Sequence, residues 1–232
     1  MADPPTAASA PDQQGHRERL RDRFLDDVRP TVADYEILEY LLALAIPRRD
    51  TKALAKELIR RFGTLASVLA ADTEALLAMK GMGRASAAAL RVVRVAATRM
   101  LAEPVAQAPI LSSWAALLDF LLLDQGPMTV EEVRVLHLNA RNVLVRDEVM
   151  NRGTLSEAPI YVREVIRRAL DIGSAAIVLV HNHPSGDPAP SRQDIAITRD
   201  IAETGRRLGI HLHDHLIIGA GRHTSLRAEG LI

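Results

Sequence analysis

Two histidines one residue apart, His181 and His183, are followed after seven residues by Ser191 and two residues later by Asp194. The six residues before them, 175–180, are all apolar, as in a strand buried on both faces. Alternate side chains of a strand point the same way, so His181 and His183 face one point and Asn182 turns from it. Pro184 has no N–H for a ladder and ends the strand. A loop rich in Pro and Gly follows, and Ser191 opens a helical pattern with Asp194 in its first turn. Two imidazoles and one carboxylate brought to one spot make the ligand set of a catalytic zinc, with a fourth position for water. Ser191-x-x-Asp194 also fits a capping box. The two roles are compatible, because a cap would hold Asp194 in place. A lone strand-end histidine is most often a satisfied polar group, but two facing imidazoles cost stability without a shared partner. Asp187 is a second candidate carboxylate, although its loop gives it no fixed direction.

The spacing His181-x-His183, seven residues, Ser191, two residues, Asp194 resembles the JAMM motif of MPN metallopeptidases. The longer string His181-Asn182-His183-Pro184-Ser185-Gly186-Asp187 with Pro190-Ser191-Arg192-Gln193-Asp194 resembles the RadC family specifically. Arg163-Glu164-Val165 and Asp214-His215-Leu216-Ile217-Ile218-Gly219 do so too, and the likeness runs from about Gly15 onward. The resemblance implies that His181, His183 and Asp194 hold Zn2+ and that Ser191 donates to the developing oxyanion. It also implies an upstream glutamate as general base. Glu148, before the Gly153-Thr154 turn, is the expected residue. Its neighbour Asp147 is the alternative, since adjacent strand residues cannot both face the metal.

Composition excludes several classes. The chain has 232 residues, 48% of them hydrophobic, enough for one large domain or two small ones. There is no cysteine, so disulfides and thiolate-ligated zinc are out. No segment approaches the ~20 apolar residues of a membrane span. Residues 1–15 lack both the basic start and the apolar core of a signal peptide and read as a disordered tail. A cytoplasmic, membrane-free protein is expected.

Charge is balanced overall but not along the chain. Residues 1–102 hold 16 Lys/Arg against 13 Asp/Glu, and residues 103–232 hold 13 against 16. Between Arg49 and Arg99 there are 10 basic residues against 4 acidic ones. Two prolines without periodicity mark 103–111 as a linker. This predicts an all-α domain over 16–102 and an α/β domain over 112–232, the latter an MPN (JAMM) domain by resemblance.

In the first domain, helices are expected over 35–42, over 52–61 capped by Thr51, over 65–70 and over 73–79. Lys80-Gly81-Met82-Gly83-Arg84 then leads into a further helix and resembles a helix-hairpin-helix turn. The glycines allow a tight turn, and the next helix start offers free N–H groups to a phosphate. Lys80, Gly81, Gly83 and Arg84 are the candidate DNA-backbone contacts, a role that reads no sequence. A packing hairpin that never meets DNA is the alternative. At 3% aromatic residues, stacking on single strands is not expected.

The second domain reads as a hairpin of 133–138 and 143–150 around 139–142, a helix over 161–170, the histidine strand, the helix from Ser191, and a strand over 211–218. His211, His213 and His215 alternate on that last strand and would share a face, but parallel side chains do not converge on one ion. His215 is expected in a core role, matching the Asp-His pair of the resemblance. Together these readings predict a zinc-dependent hydrolase, and the resemblance alone implies a peptide amide or isopeptide bond as its substrate. The second possibility is a DNA-associated repair or recombination accessory factor that binds DNA without sequence preference, its metal site structural or nuclease-like.

Overall fold

A computed structural model describes residues 11–26, 31–47, 49–153 and 160–232. Chain contacts divide it into two units, Met1–Arg94 and Val95–Ile232. The first is helical, in the order α1 (Pro11–Asp26), α2 (Asp34–Ala45), α3 (Lys52–Phe62), α4 (Leu65–Ala70), α5 (Thr73–Leu77) and the first half of α6 (Arg84–Gln107). Leu38, Leu42, Ala55, Leu58, Val68, Leu76 and Leu90 form its core. Local chemistry explains the boundaries. Glu36 accepts from the Ala33 N–H at the start of α2, Thr64 caps α4 and Asp72 caps α5. Thr51 sits at the expected cap of α3, but its hydroxyl donates to the Glu39 carbonyl instead, and Asp50 receives the Lys52 N–H.

Two sequence boundaries shift. Of the expected tail 1–15, residues 1–10 lie outside the described residues, while 11–15 already belong to α1. The expected linker 103–111 is the end of α6, which continues through Pro104, followed by a segment tied to the sheet. The cause is burial: Val105 and Ile110 join the core of the second unit, and Ile110 N–H donates to Asn142 O.

The second unit adds α7 (Trp114–Asp124), β1 (Glu131–Leu138), β2 (Leu144–Gly153), α8 (Val162–Ile172), β3 (Ala176–Asn182), α9 (Arg192–Arg207), β4 (His211–Ile218) and β5 (His223–Ser225). The sheet order is β2-β1-β3-β4-β5, with β3 and β4 parallel and the other pairs antiparallel. The wholly buried β3 is central. Its Ala176, Val178 and Val180 pack with α7 residues Leu117, Phe120 and Leu121. Its Ile177 and Leu179 pack with Val165 and Ile166 of α8 and Ile201 of α9. His181 continues the second set, so alternation places its ring on the α8/α9 face. The parallel β3-α9-β4 crossover brings the start of α9 back to the end of β3.

A buried ionic group braces β1. Arg134 donates to Asp124 at 2.8 Å, Glu132 at 2.9 Å and Asp147 at 3.0 Å. Replacing Arg134 by Met would remove the cation that Asp124, Glu132 and Asp147 share, with Arg152 still 3.4 Å from Glu132. We expect Arg134→Met to cost about 3–5 kcal/mol, read as a lower urea midpoint at unchanged slope. A midpoint within error of wild type would refute the brace.

Candidate metal centre

His181 and His183 leave the end of β3, and Asp194 enters from the first turn of α9. Their ligand atoms all lie within 4.8 Å of one another. His181 Nε2 is 3.0 Å from His183 Nε2 and 3.6 Å from Asp194 Oδ1, and His183 Nε2 is 4.0 Å from Asp194 Oδ2. Atoms bound about 2.0–2.1 Å from one tetrahedral zinc lie roughly 3.3 Å apart, so the donor spacing suits such an ion.

The surrounding hydrogen bonds set the tautomers. The Thr198 hydroxyl contacts both the Asp194 carbonyl, which can only accept, and His215 Nδ1 at 2.6 Å. The hydroxyl proton goes to the carbonyl, so His215 Nδ1–H donates to Thr198 and His215 Nε2 is left as an acceptor. His181 Nδ1–H donates to it at 2.8 Å. His183 Nδ1–H donates to the Asp187 carbonyl, also at 2.8 Å. Both Nε2 lone pairs therefore face each other, with a carboxylate beside them. Two facing lone pairs repel, and a shared cation satisfies both. Burial keeps the His181 and His215 rings neutral: it pushes His181 down to about 4 and His215 well below the ordinary histidine value.

Ser191 and Asp194 form the expected capping box. Ser191 N–H donates to Asp194 Oδ2 at 2.7 Å and Asp194 N–H to Ser191 Oγ at 3.1 Å. The Ser191 hydroxyl donates no hydrogen bond among the described residues. Asp187 contributes its carbonyl to the site, while its carboxylate receives the Ala189 N–H.

Glu148 is not at the centre. It lies opposite Val135, and its carboxylate takes the Arg168 guanidinium through both oxygens, with His137 Nε2 3.4 Å away. The pairing with Arg168 holds it below the usual carboxylate range, the wrong direction for a base. The alternative, Asp147, is committed to Arg134. The acid that does face the cluster is Glu131. Val133 pairs with His181 in the antiparallel β1–β3 ladder, so Glu131, two residues earlier on the same side, lies level with His183. Burial raises its carboxyl, as does the charge of Asp194, while His183 opposes them. Asn182, turned from the metal point, clamps this stretch. Its side chain accepts from Glu132 N–H and donates to the Val130 carbonyl, gripping the backbone on either side of Glu131. An acid at the head of an apolar strand was the available sequence signal, but the strand partner that gives it meaning was not.

The three β4 histidines do not share a face. A bulge between Ile177 and Val178 of the β3–β4 ladder leaves His213 as an extra residue. It turns to Asn142, His211 is exposed, and His215 alone reaches the site.

The α/β domain gathers two strand-end imidazoles and a helix-start carboxylate into a group that could hold a metal ion. The model of the RadC-like JAB domain matches residues 111–231. A UPF0758 protein of Rhodobacter capsulatus is 47% identical over 213 residues, covering 92% of this chain and all of that protein. A UPF0758 protein of Ruegeria pomeroyi is 45% identical over 217 residues, covering 94% and 97%. The chain belongs to the RadC-like JAB domain family. Neither relative's name states an activity.

The depressed histidines make a pH prediction for the metal-free protein. Unfolded histidine takes a proton near pH 6.5, whereas folded His181 resists until about 4. The unfolded state thus binds more protons in this window, and stability must fall as pH drops from about 6.5 toward 4. Thermal melting at a series of pH values checks this. A flat profile from pH 7 to 5 would contradict the neutral-imidazole assignment.

Proposed function

We propose that the chain is a zinc-dependent hydrolase of peptide amide or isopeptide bonds. The opposed Nε2 lone pairs of His181 and His183 beside Asp194 carry this reading. These three residues would hold the ion, and JAB-domain relatives commonly use zinc. When bound, zinc acidifies water and polarises an acyl oxygen. Glu131, its carboxyl raised by burial, takes the water proton and passes it to the leaving amine. Ser191 donates its hydroxyl to the acyl oxygen as negative charge develops. His215 and Thr198 hold His181 in the tautomer that presents Nε2.

Metal analysis of purified protein with His183→Ala, followed by assays on amide and isopeptide substrates, tests the reading. Glu131→Gln should keep zinc yet lose about 100-fold to 10,000-fold in turnover, the usual contribution of a general base. Glu148→Gln should leave turnover near wild type, because that carboxylate serves Arg168. The opposite ranking of the two variants would restore Glu148 as the base.

A second role concerns the helical unit. We infer that the turn before α6 is of helix-hairpin-helix type and meets DNA phosphates. Gly81 has φ +99°, a conformation suited to glycine, and the Arg49 guanidinium lies 3.4 Å from where its Cβ would be. Lys80, Gly83 and Arg84 are exposed around the same turn. This supports weak, sequence-independent, salt-sensitive binding, and with it the accessory role in repair or recombination. The double variant Lys80→Glu, Arg84→Glu should weaken binding alike on every duplex tested. Unchanged affinity would make the turn a packing element.

A further inference from the structure

A cavity of about 220 Å3 opens between the start of α8 and strands β1 and β2. Val133, Met150, Ile160 and Val165 form its apolar wall. Val133 is the cross-strand partner of His181, and Asn151, which also lines the cavity, is the partner of Val133 on β2. Partners in adjacent strands sit about 4.5–5.5 Å apart with side chains on one face. The cavity is therefore one strand spacing from the metal ligands, on the same face of the sheet. Helices α8 and α9 pack against each other there, α9 supplying Asp194 and α8 the cavity residues Glu164 and Val165. Glu131 lies two residues before Val133.

We propose that this cavity receives the aliphatic side chain of the substrate residue next to the amide bond set at His181, His183 and Asp194. The assignment of that bond rests on the hydrolase reading above. The preference for an apolar side chain rests on the cavity alone. Size fits one branched or ring side chain, since an apolar cavity of about 150 Å3 takes one benzene. Charge argues against an acidic side chain. Glu164 borders the cavity, with Glu131 and Asp194 close by, and the Glu164 carboxylate is already held by Arg163 and Arg167. Val133 and Val165, each 1% exposed, form the covered floor of the cavity, and the half-buried Met150 and Ile160 with the exposed Tyr161 form its accessible sides. The substrate class this selects is a peptide with Leu, Ile, Val or Met beside the cleaved bond.

The test uses full-length protein labelled at Ile, Leu, Val and Met methyl groups, with and without zinc. N-acetyl-leucine N-methylamide and its aspartate counterpart are the probes. The leucine compound should shift the Val133, Met150, Ile160 and Val165 methyls saturably. It should bind about tenfold or more tightly than the aspartate compound, as burial of one aliphatic side chain implies. Ile160→Trp, filling the cavity, should abolish these shifts. Met150→Ala, widening it, should move preference toward the phenylalanine analogue. Equal binding of both probes, shifts elsewhere, or shifts that survive Ile160→Trp would overturn the proposal. Zinc analysis of the same samples separates the two readings. Cavity shifts in protein that takes up no zinc would sink the hydrolase reading alone, and bound zinc with no cavity shifts would sink this one.

Discussion

Two neutral imidazoles whose bare nitrogens face each other 3.0 Å apart are an arrangement that folding does not reach by chance. Each lone pair would prefer water, and His181 is almost wholly enclosed. The surrounding structure enforces the arrangement from behind. The chain from the Asp194 carbonyl through Thr198 and His215 to His181 leaves the His181 ring one tautomer, and the Asp187 carbonyl does the same for His183. Thr198 lies one turn after Asp194 on α9, so the helix that delivers the carboxylate also delivers the hydroxyl. The cost of the facing lone pairs is offset once a cation occupies the point they share.

Much of the second unit serves this point. The central strand must be apolar on both faces, and its neighbours must cover it, or His181 would be solvated and its neutral form no longer enforced. Strand β1 contributes twice. On one face Arg134 ties it to α7 through Asp124 and to β2 through Asp147. From the same face Asn182 grips the backbone around Glu131, whose own side chain turns to the histidines on the other. Residues at adjacent positions thus carry out structural and chemical work on opposite sides of one sheet. Glu148 shares the face of the two histidines, but it sits opposite Val135, two residues further along β1 than Val133, where Arg168 of α8 holds it away from the end of β3.

Close approach of loops completes the geometry. A Cβ on Gly219 would meet the Gly186 carbonyl at 2.4 Å and Pro188 at 2.9 Å, so the loop carrying Asp187 closes against the end of β4 only because that position is glycine. This loop holds the His183 ring through its backbone, which explains how a Pro- and Gly-rich segment can orient a ligand without contributing a side chain.

The local grammar of the chain was legible in its residues. The His-x-His alternation, the apolar run before it, the Ser191–Asp194 cap and the β4 bounds needed only strand and helix periodicity, which depend on near neighbours. What periodicity could not reach was pairing. Helix α7 carried no motif and went unread, and the prolines of 103–111 looked like a linker because the core that buries Val105 and Ile110 lies far along the chain. Glu148 looked suitable by its place before a Gly-Thr turn, whereas the β1–β3 register puts Glu131 beside the ligands. A single bulge in β4 undid the expected common face of His211, His213 and His215, since one inserted residue reverses which side every later side chain takes. The candidate ligand types were determined by sequence alone. Which acid faces the cluster, the tautomers and the neighbouring cavity were decided by strand register and burial, which exist only when distant segments are packed together.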